Sequence, residues 1–135
     1  MEHVATLELV PELRAPHAAR AFAGATLAEW NLAAEAVEAA QLVISELVTN
    51  ALRHASDSPD VTLQLVLTDD CIRVLVSDGG PGEPKQARPD AGSSDVSGRG
   101  LWIVDAFTNH WGTEPNARGG KTVWCEIPTE PVSKR

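Results

Sequence analysis

Hydrophobic and polar residues follow two different repeats along this chain. Apolar positions at helical spacing predict a long helix over 34–55. A shorter helix precedes it, opened by Pro16 and running to about Trp30, with a break at Asn31-Leu32. Shorter runs alternate apolar and polar residues, as strands do. The predicted strands are 6–10 at a sheet edge, 61–67 and 72–78 as a hairpin around a short acidic turn, and 110–113 with 122–127 as a second hairpin.

The length of 135 residues predicts one domain over residues 1–135, large enough for a single core. Residues 79 to 97 contain many glycines and prolines and no periodic pattern. A loop of that length inside a compact domain is usually functional or disordered, and we expect it to be mobile. A further helical run follows Gly98-Arg99-Gly100, and residues 128–135 resemble a frayed tail.

Composition and charge exclude several classes of protein. The net charge of −8 argues against a nucleic-acid backbone or an anionic membrane as the main partner, although it does not exclude a nucleotide. The N-terminus has no signal-peptide pattern, and no stretch has the length and apolarity of a membrane span. Cys71 and Cys125 lie in apolar, strand-like surroundings, so we expect reduced core thiols in a cytoplasmic protein.

A polar stripe runs along the long helix. Residues four apart on a helix share a face, so Glu46, Asn50 and His54 align, with Arg53 beside them. The stripe borders the apolar arc of the same helix. An amide oxygen there can ligate a hard cation, and a carboxylate can accept a proton. Taken alone, the pattern is weak and far more typical of a solvated helix edge.

Two glycine motifs are candidates for ligand contacts. Asp78-Gly79-Gly80-Pro81-Gly82 ends a strand, where a carboxylate can accept a hydrogen bond from an exocyclic amine such as that of adenine. Gly98-Arg99-Gly100 opens a helix, whose free N–H groups suit a phosphate. The alternative for the first motif is a glycine- and proline-rich turn capped by Asp78. The alternative for the second is a flexible hinge before a core helix. Thr122, taken alone, is an ordinary strand residue.

The order and spacing of these motifs resemble the GHKL superfamily of ATP-binding domains. The set comprises Glu46-x-x-x-Asn50, Asp78-x-Gly80-x-Gly82, Gly98-x-Gly100-Leu101 and Gly120-Lys121-Thr122. The resemblance implies the α+β class and the Bergerat fold, a two-layer α/β sandwich in which helices cover one face of a mixed, mostly antiparallel sheet. Glu-Leu-Val-Thr-Asn-Ala-Leu-Arg-His-Ala and Ser-Gly-Arg-Gly-Leu-Trp-Ile-Val look most similar to anti-sigma factor serine kinases of the RsbW and SpoIIAB type.

The resemblance implies a role for each matching residue. Glu46 would be the general base, Asn50 would hold the Mg²⁺ that bridges the phosphates of ATP or ADP, and Asp78 would bind the adenine amine. Thr122 would support that contact directly or through water. The other implied nucleotide contacts are Arg53, His54, Gly80, Gly82, Gly98, Arg99, Gly100 and Leu101. The resemblance also implies a mobile ATP lid at about 83–97. This lid departs from the family pattern, since Lys85 and Arg88 are its only basic residues.

The implied activity is phosphorylation of a serine or threonine on a STAS-domain anti-anti-sigma partner. The implied regulatory role is sequestration of a sigma factor, by a homodimer that binds neither nucleic acid nor membrane. Arg20 lies where the family often has a partner-facing arginine. One alternative is a nucleotide-binding switch without phosphotransfer. Another is a fragment of a histidine kinase or gyrase-like ATPase, although the sequence shows neither an acceptor-histidine hairpin nor a transducer domain.

Overall fold

The sheet and its two helices account for most of the described chain. A computed structural model describes residues 3–54, 60–79, 108, 110–117 and 119–129. Within these ranges two helices pack on a five-stranded sheet with strand order β1-β2-β3-β5-β4. The elements are β1 (His3–Leu9), α1 (Ala15–Glu29), α2 (Ala34–His54), β2 (Val61–Leu67), β3 (Cys71–Asp78), β4 (His110–Pro115) and β5 (Lys121–Pro128).

This architecture confirms the predicted α+β class. Every strand pairing in the described ranges is antiparallel, so the mixed component that the resemblance implied is not seen there. β1 lies at a sheet edge as predicted, but it begins at His3 because Val4 and Ala5 pair with Val66 and Leu65. β5 extends to Pro128, which the sequence had assigned to the tail, and the Thr129 N–H donates to the Asp70 carbonyl at 3.2 Å.

One face of the sheet is buried beneath the helices. Alternate residues of the central strands are 0–4% exposed, and the intervening residues form the opposite, more open face. The helices contribute apolar residues at helical spacing to the same cluster. The core residues of the central strands are Val61, Leu63, Leu65, Ile72, Val74, Val76, Val123, Cys125 and Ile127, and those of α2 are Ala40, Val43, Ile44, Leu47, Val48 and Ala51.

The break between the helices has a defined local cause. Asn31 has a φ of 66°, and the Leu32 N–H donates to the Leu27 carbonyl at 3.1 Å. The Asn31 N–H donates to the Ala28 carbonyl at 2.9 Å. Together these bonds form a Schellman ending, in which asparagine tolerates the left-handed residue better than most side chains. The predicted break at Asn31-Leu32 is therefore confirmed.

Helices α1 and α2 are joined by one polar side chain as well as by apolar packing. The Gln41 side-chain amide of α2 donates to the Arg20 carbonyl of α1 at 3.0 Å. A Cβ at Gly24 would overlap the Gln41 amide nitrogen, so glycine at this position allows the amide to lie across α1. This contact helps to fix α2, the helix that carries the polar stripe, relative to its neighbour.

Candidate functional site

Asp78 is a buried carboxylate at the end of a central strand. Its exposed fraction is 6%, and no other polar or charged side chain in the described ranges falls in the buried class. It shares the helix-covered face of β3 with Val74 and Val76, because alternate residues of a strand point the same way. The Lys121 N–H donates to Asp78 Oδ1 at 3.4 Å. A buried carboxylate needs such donors, and its oxygens can also accept from an amine of a ligand.

Gly120 packs directly against Asp78. A Cβ at Gly120 would overlap both the carbonyl oxygen and Oδ1 of Asp78. The contact is with backbone as well as side chain, so rotation of one side chain would not relieve it. A glycine is therefore required at this position if the carboxylate is to keep its place.

Asn116 connects the β4–β5 turn to the end of β3. Its side-chain Nδ2 donates to the Asp78 carbonyl at 3.0 Å and to Thr122 Oγ1 at 3.4 Å. Its Oδ1 accepts from the Gly120 N–H at 3.1 Å, and its own N–H donates to the Gly120 carbonyl at 2.9 Å. One amide thus positions the segment that packs on Asp78. Sequence reasoning did not identify Asn116, although an asparagine at the start of a glycine-containing hairpin turn is a recognisable signal.

Thr122 and Lys121 lie on opposite faces of the sheet. The Thr122 hydroxyl shares a 2.8 Å hydrogen bond with the hydroxyl of Ser77, its cross-strand partner. Ser77 and Asp78 are consecutive, so their side chains point to opposite faces. The structure therefore does not bring the Thr122 hydroxyl and the Asp78 carboxylate together on one face, and Asn116 links the two residues instead.

Lys121 shares the face of Asp78. It alternates with Val123 and Cys125, whose side chains are buried beneath the helices. Burial lowers the pKa of the Lys121 ammonium below its usual value, and the nearby negative charge of Asp78 opposes that shift. Sequence reasoning did not assign Lys121 a role. The alternation of apolar residues along β5 was the signal that places it on the Asp78 side.

The polar stripe of α2 lies at the border of the core. Glu46 and Asn50 are half-buried, Arg53 is exposed, and the neighbouring Leu47 and Ala51 are buried. α2 packs against β2, β3 and β5, so the stripe and Asp78 flank the same helix–sheet layer. A half-buried carboxylate and amide at such a border remain accessible to a ligand while their backbone is held by the core.

Several predicted residues lie outside the described part of the chain. Gly80, Gly82 and the lid belong to residues 80–107, which the structure does not describe, and the side chain of His54 is likewise not described. The remaining predicted phosphate contacts in this group are Gly98, Arg99, Gly100 and Leu101. Their roles remain predictions.

The oxygen donors of the described site residues suit a magnesium ion that is also held by a ligand, rather than a metal ion held by protein side chains alone. Among the described side chains, no group of three or more His, Cys, Asp or Glu residues could hold a metal. Magnesium usually keeps several waters and binds one or two protein oxygens together with phosphates, so a single amide oxygen from Asn50 is compatible with it. In the described helices, no segment has the length and apolarity needed to cross a membrane.

Comparison with known proteins finds a matching family and similar proteins. Residues 9–126 match the histidine kinase-like ATPase domain family. An uncharacterised protein of Streptomyces coelicolor is 37% identical over 90 residues, covering 65% of this chain and 84% of that protein. The serine-protein kinase RsbW of Listeria monocytogenes is 27% identical over 86 residues, covering 54% of this chain and 55% of the kinase. The chain thus spans about half the length of that kinase.

A solved structure of the histidine kinase domain of a blue-light activated histidine kinase from Erythrobacter litoralis is also similar. It has 30% sequence identity and a TM-score of 0.48, over 70% of this chain and 45% of the other. The family match includes α1, α2, Asp78 and the turn that holds it, so it spans the fold and the candidate site together. The chain belongs to the histidine kinase-like ATPase domain family.

Proposed function

We propose that this chain binds ATP, with the Asp78 carboxylate accepting the adenine amine. The buried carboxylate, held by the Lys121 N–H and by the Asn116–Gly120 turn, is the observation that carries this proposal. Its acceptor-only chemistry suits the amine, and a family of ATPase domains is the context in which it occurs. ADP offers the same base and is therefore an expected ligand of the same site.

Asn50 would hold Mg²⁺ at the phosphates through its side-chain oxygen. The ion would neutralise phosphate charge, which an acidic protein of net charge −8 cannot do with its overall field. Arg53 and His54 follow Asn50 on the same helix and would contact the nucleotide. Gly98, Arg99, Gly100 and Leu101, which the sequence predicts to open a helix, would supply backbone N–H groups to the phosphates.

The transfer step needs few covalent contributions from the protein. Glu46 would accept the proton of a serine or threonine hydroxyl as that oxygen bonds to the γ-phosphorus and the bond to the ADP oxygen breaks. α2 carries Glu46 and Asn50 one turn apart, so one rigid helix would position both the base and the charge-neutralising site.

For the whole protein we propose the role of an anti-sigma factor kinase. The phosphoryl acceptor would be a STAS-domain anti-anti-sigma protein, and a homodimer of the chain would sequester a sigma factor. The support is the similarity to the serine-protein kinase RsbW together with the order of motifs along the chain.

Phosphotransfer is tested with γ-labelled ATP and a panel of STAS-domain proteins. Glu46→Gln should retain Mg-ATP binding within about twofold and lose transfer by roughly 100-fold or more. Glu38→Gln is the matched control, because Glu38 is an exposed carboxylate of the same helix. Full activity in the Glu46 variant would exclude it as the base.

The magnesium role of Asn50 is tested by calorimetric titration with ATP, with and without Mg²⁺. Asn50→Ala should weaken Mg-ATP binding by roughly tenfold or more, since a charge-assisted contact is lost. Asn50→Asp, which keeps an oxygen ligand, should retain more affinity. Equal magnesium dependence in the wild type and Asn50→Ala would refute the assignment.

A nucleotide-binding switch without phosphotransfer is the second candidate. It is favoured by one observation: the base-binding end of the site is held by several described contacts, whereas transfer depends on Glu46 alone. Bound ATP without label on any STAS-domain protein would select this function over the kinase.

A further inference from the structure

Lys121 is the cross-strand neighbour of Asp78. Ser77 pairs with Thr122 in the antiparallel β3–β5 ladder, so the next position along places Asp78 opposite Lys121. The hydrogen bond from the Lys121 N–H to Asp78 Oδ1 at 3.4 Å agrees with that register. Directly opposite residues on one face of a sheet have Cβ atoms about 4.5–5.5 Å apart.

Both side chains lie on the helix-covered face. Val76 and Val123 are buried on that face, at 1% and 4% exposure, and Asp78 and Lys121 each lie two residues further along their strands. Lys121 is half-buried, as is usual for a lysine whose aliphatic stem covers apolar surface. The site therefore presents an ammonium beside the carboxylate.

We propose that Lys121 is a specificity-determining residue of the nucleotide site, donating a hydrogen bond to the ring nitrogen beside the amine that Asp78 binds. This inference rests on the proposed binding of ATP at Asp78. An adenine edge presents a donor amine next to an acceptor ring nitrogen. A carboxylate only accepts and an ammonium only donates, so the Asp78–Lys121 pair complements that edge. Either nitrogen flanking the amine, at ring position 1 or 7, satisfies the pairing.

Recognition of a nucleotide would give this half-buried charge a function. Burial lowers the pKa of the Lys121 ammonium and the Asp78 charge opposes this effect. A cross-strand ion pair with Asp78 as the sole role of Lys121 is the competing explanation. The two explanations differ in what they predict for nucleotides that lack one ring nitrogen.

The test is a titration of the full chain with Mg-ATP, 1-deaza-ATP and 7-deaza-ATP, each of which replaces one ring nitrogen with carbon. The wild type should bind one of the two analogues roughly tenfold or more weakly than ATP, because a charged hydrogen bond is lost. Lys121→Met should weaken ATP binding by a similar factor and leave the affinity for that analogue within about twofold of the wild-type value. Lys121→Arg, which keeps a donor, should retain part of the discrimination.

Two outcomes overturn the proposal. Equal binding of ATP and both analogues by the wild type would show that no ring nitrogen is read. An equal loss of affinity for all three nucleotides in Lys121→Met would assign Lys121 a structural role only. Thermal unfolding of each variant checks the fold, and the wild-type analogue series needs no variant. Failure of the proposed function is distinguishable, since the wild type would then bind none of the three nucleotides.

Discussion

Gly120→Ala tests whether the β4–β5 turn positions Asp78. The new methyl group would overlap the carbonyl oxygen and Oδ1 of Asp78 and would lie 2.8 Å from its carbonyl carbon. The Asp78 backbone is held by its pairing with Val61 and by the Asn116 amide, so it cannot move aside freely. Forcing a methyl group into such packing costs about 1–3 kcal/mol.

The expected consequences appear in both stability and binding. A cost of about 1–3 kcal/mol corresponds to a melting temperature lower by roughly 4–12 °C for a domain of this size. Because the overlap displaces the carboxylate, ATP affinity should also fall by roughly tenfold or more. Circular dichroism on heating and calorimetric titration with Mg-ATP measure the two effects.

Gly119→Ala is the matched control. Gly119 has a φ of 90°, but a Cβ there would have no heavy atom within 4 Å. The substitution should cost about 1–2 kcal/mol of backbone strain and leave ATP affinity unchanged, since nothing in the site is contacted. The role of Gly120 would be refuted if Gly120→Ala bound ATP with wild-type affinity and melted no lower than Gly119→Ala.

Other substitutions test the surroundings of the site. Asn116→Ala removes the donor to the Asp78 carbonyl and should lower stability by about 1–3 kcal/mol, measured by urea unfolding; an unchanged midpoint would contradict the role of the turn. Burial, aided by the charge of Glu126, raises the pKa of the Cys125 thiol to about 12. Iodoacetamide should therefore modify Cys125 only after unfolding. The free energy of unfolding that this protonated thiol contributes is complete below about pH 8.5 and should fall as the pH rises towards 12. Arg73→Ala breaks an exposed ion pair of 3.0 Å and should cost less than about 1 kcal/mol, a difference that high salt should remove; a larger, salt-independent loss would contradict a surface role.

Local patterns in the sequence were sufficient for the elements themselves. The helical repeat placed α2 within one residue of its observed end, and alternation placed β2 correctly. Asn31 marked the helix break because its left-handed conformation is a property of one residue and its neighbours. These features depend on contacts within a few residues, which is why a repeat of apolar positions predicts them. The Glu46–Asn50 stripe was predictable for the same reason.

Pairing between distant strands determined the parts of the site that the sequence alone does not predict. β5 pairs with β3 in a register that puts Ser77 opposite Thr122, and a register one residue different would have reversed the faces of both side chains. The same pairing brings the Asn116 turn onto Asp78 from 38 residues away. The sequence alone determined the helices, the strands and the family motifs. Only the tertiary structure set Lys121 opposite Asp78 and Thr122 opposite Ser77, because the register between two strands decides which residues face each other across them.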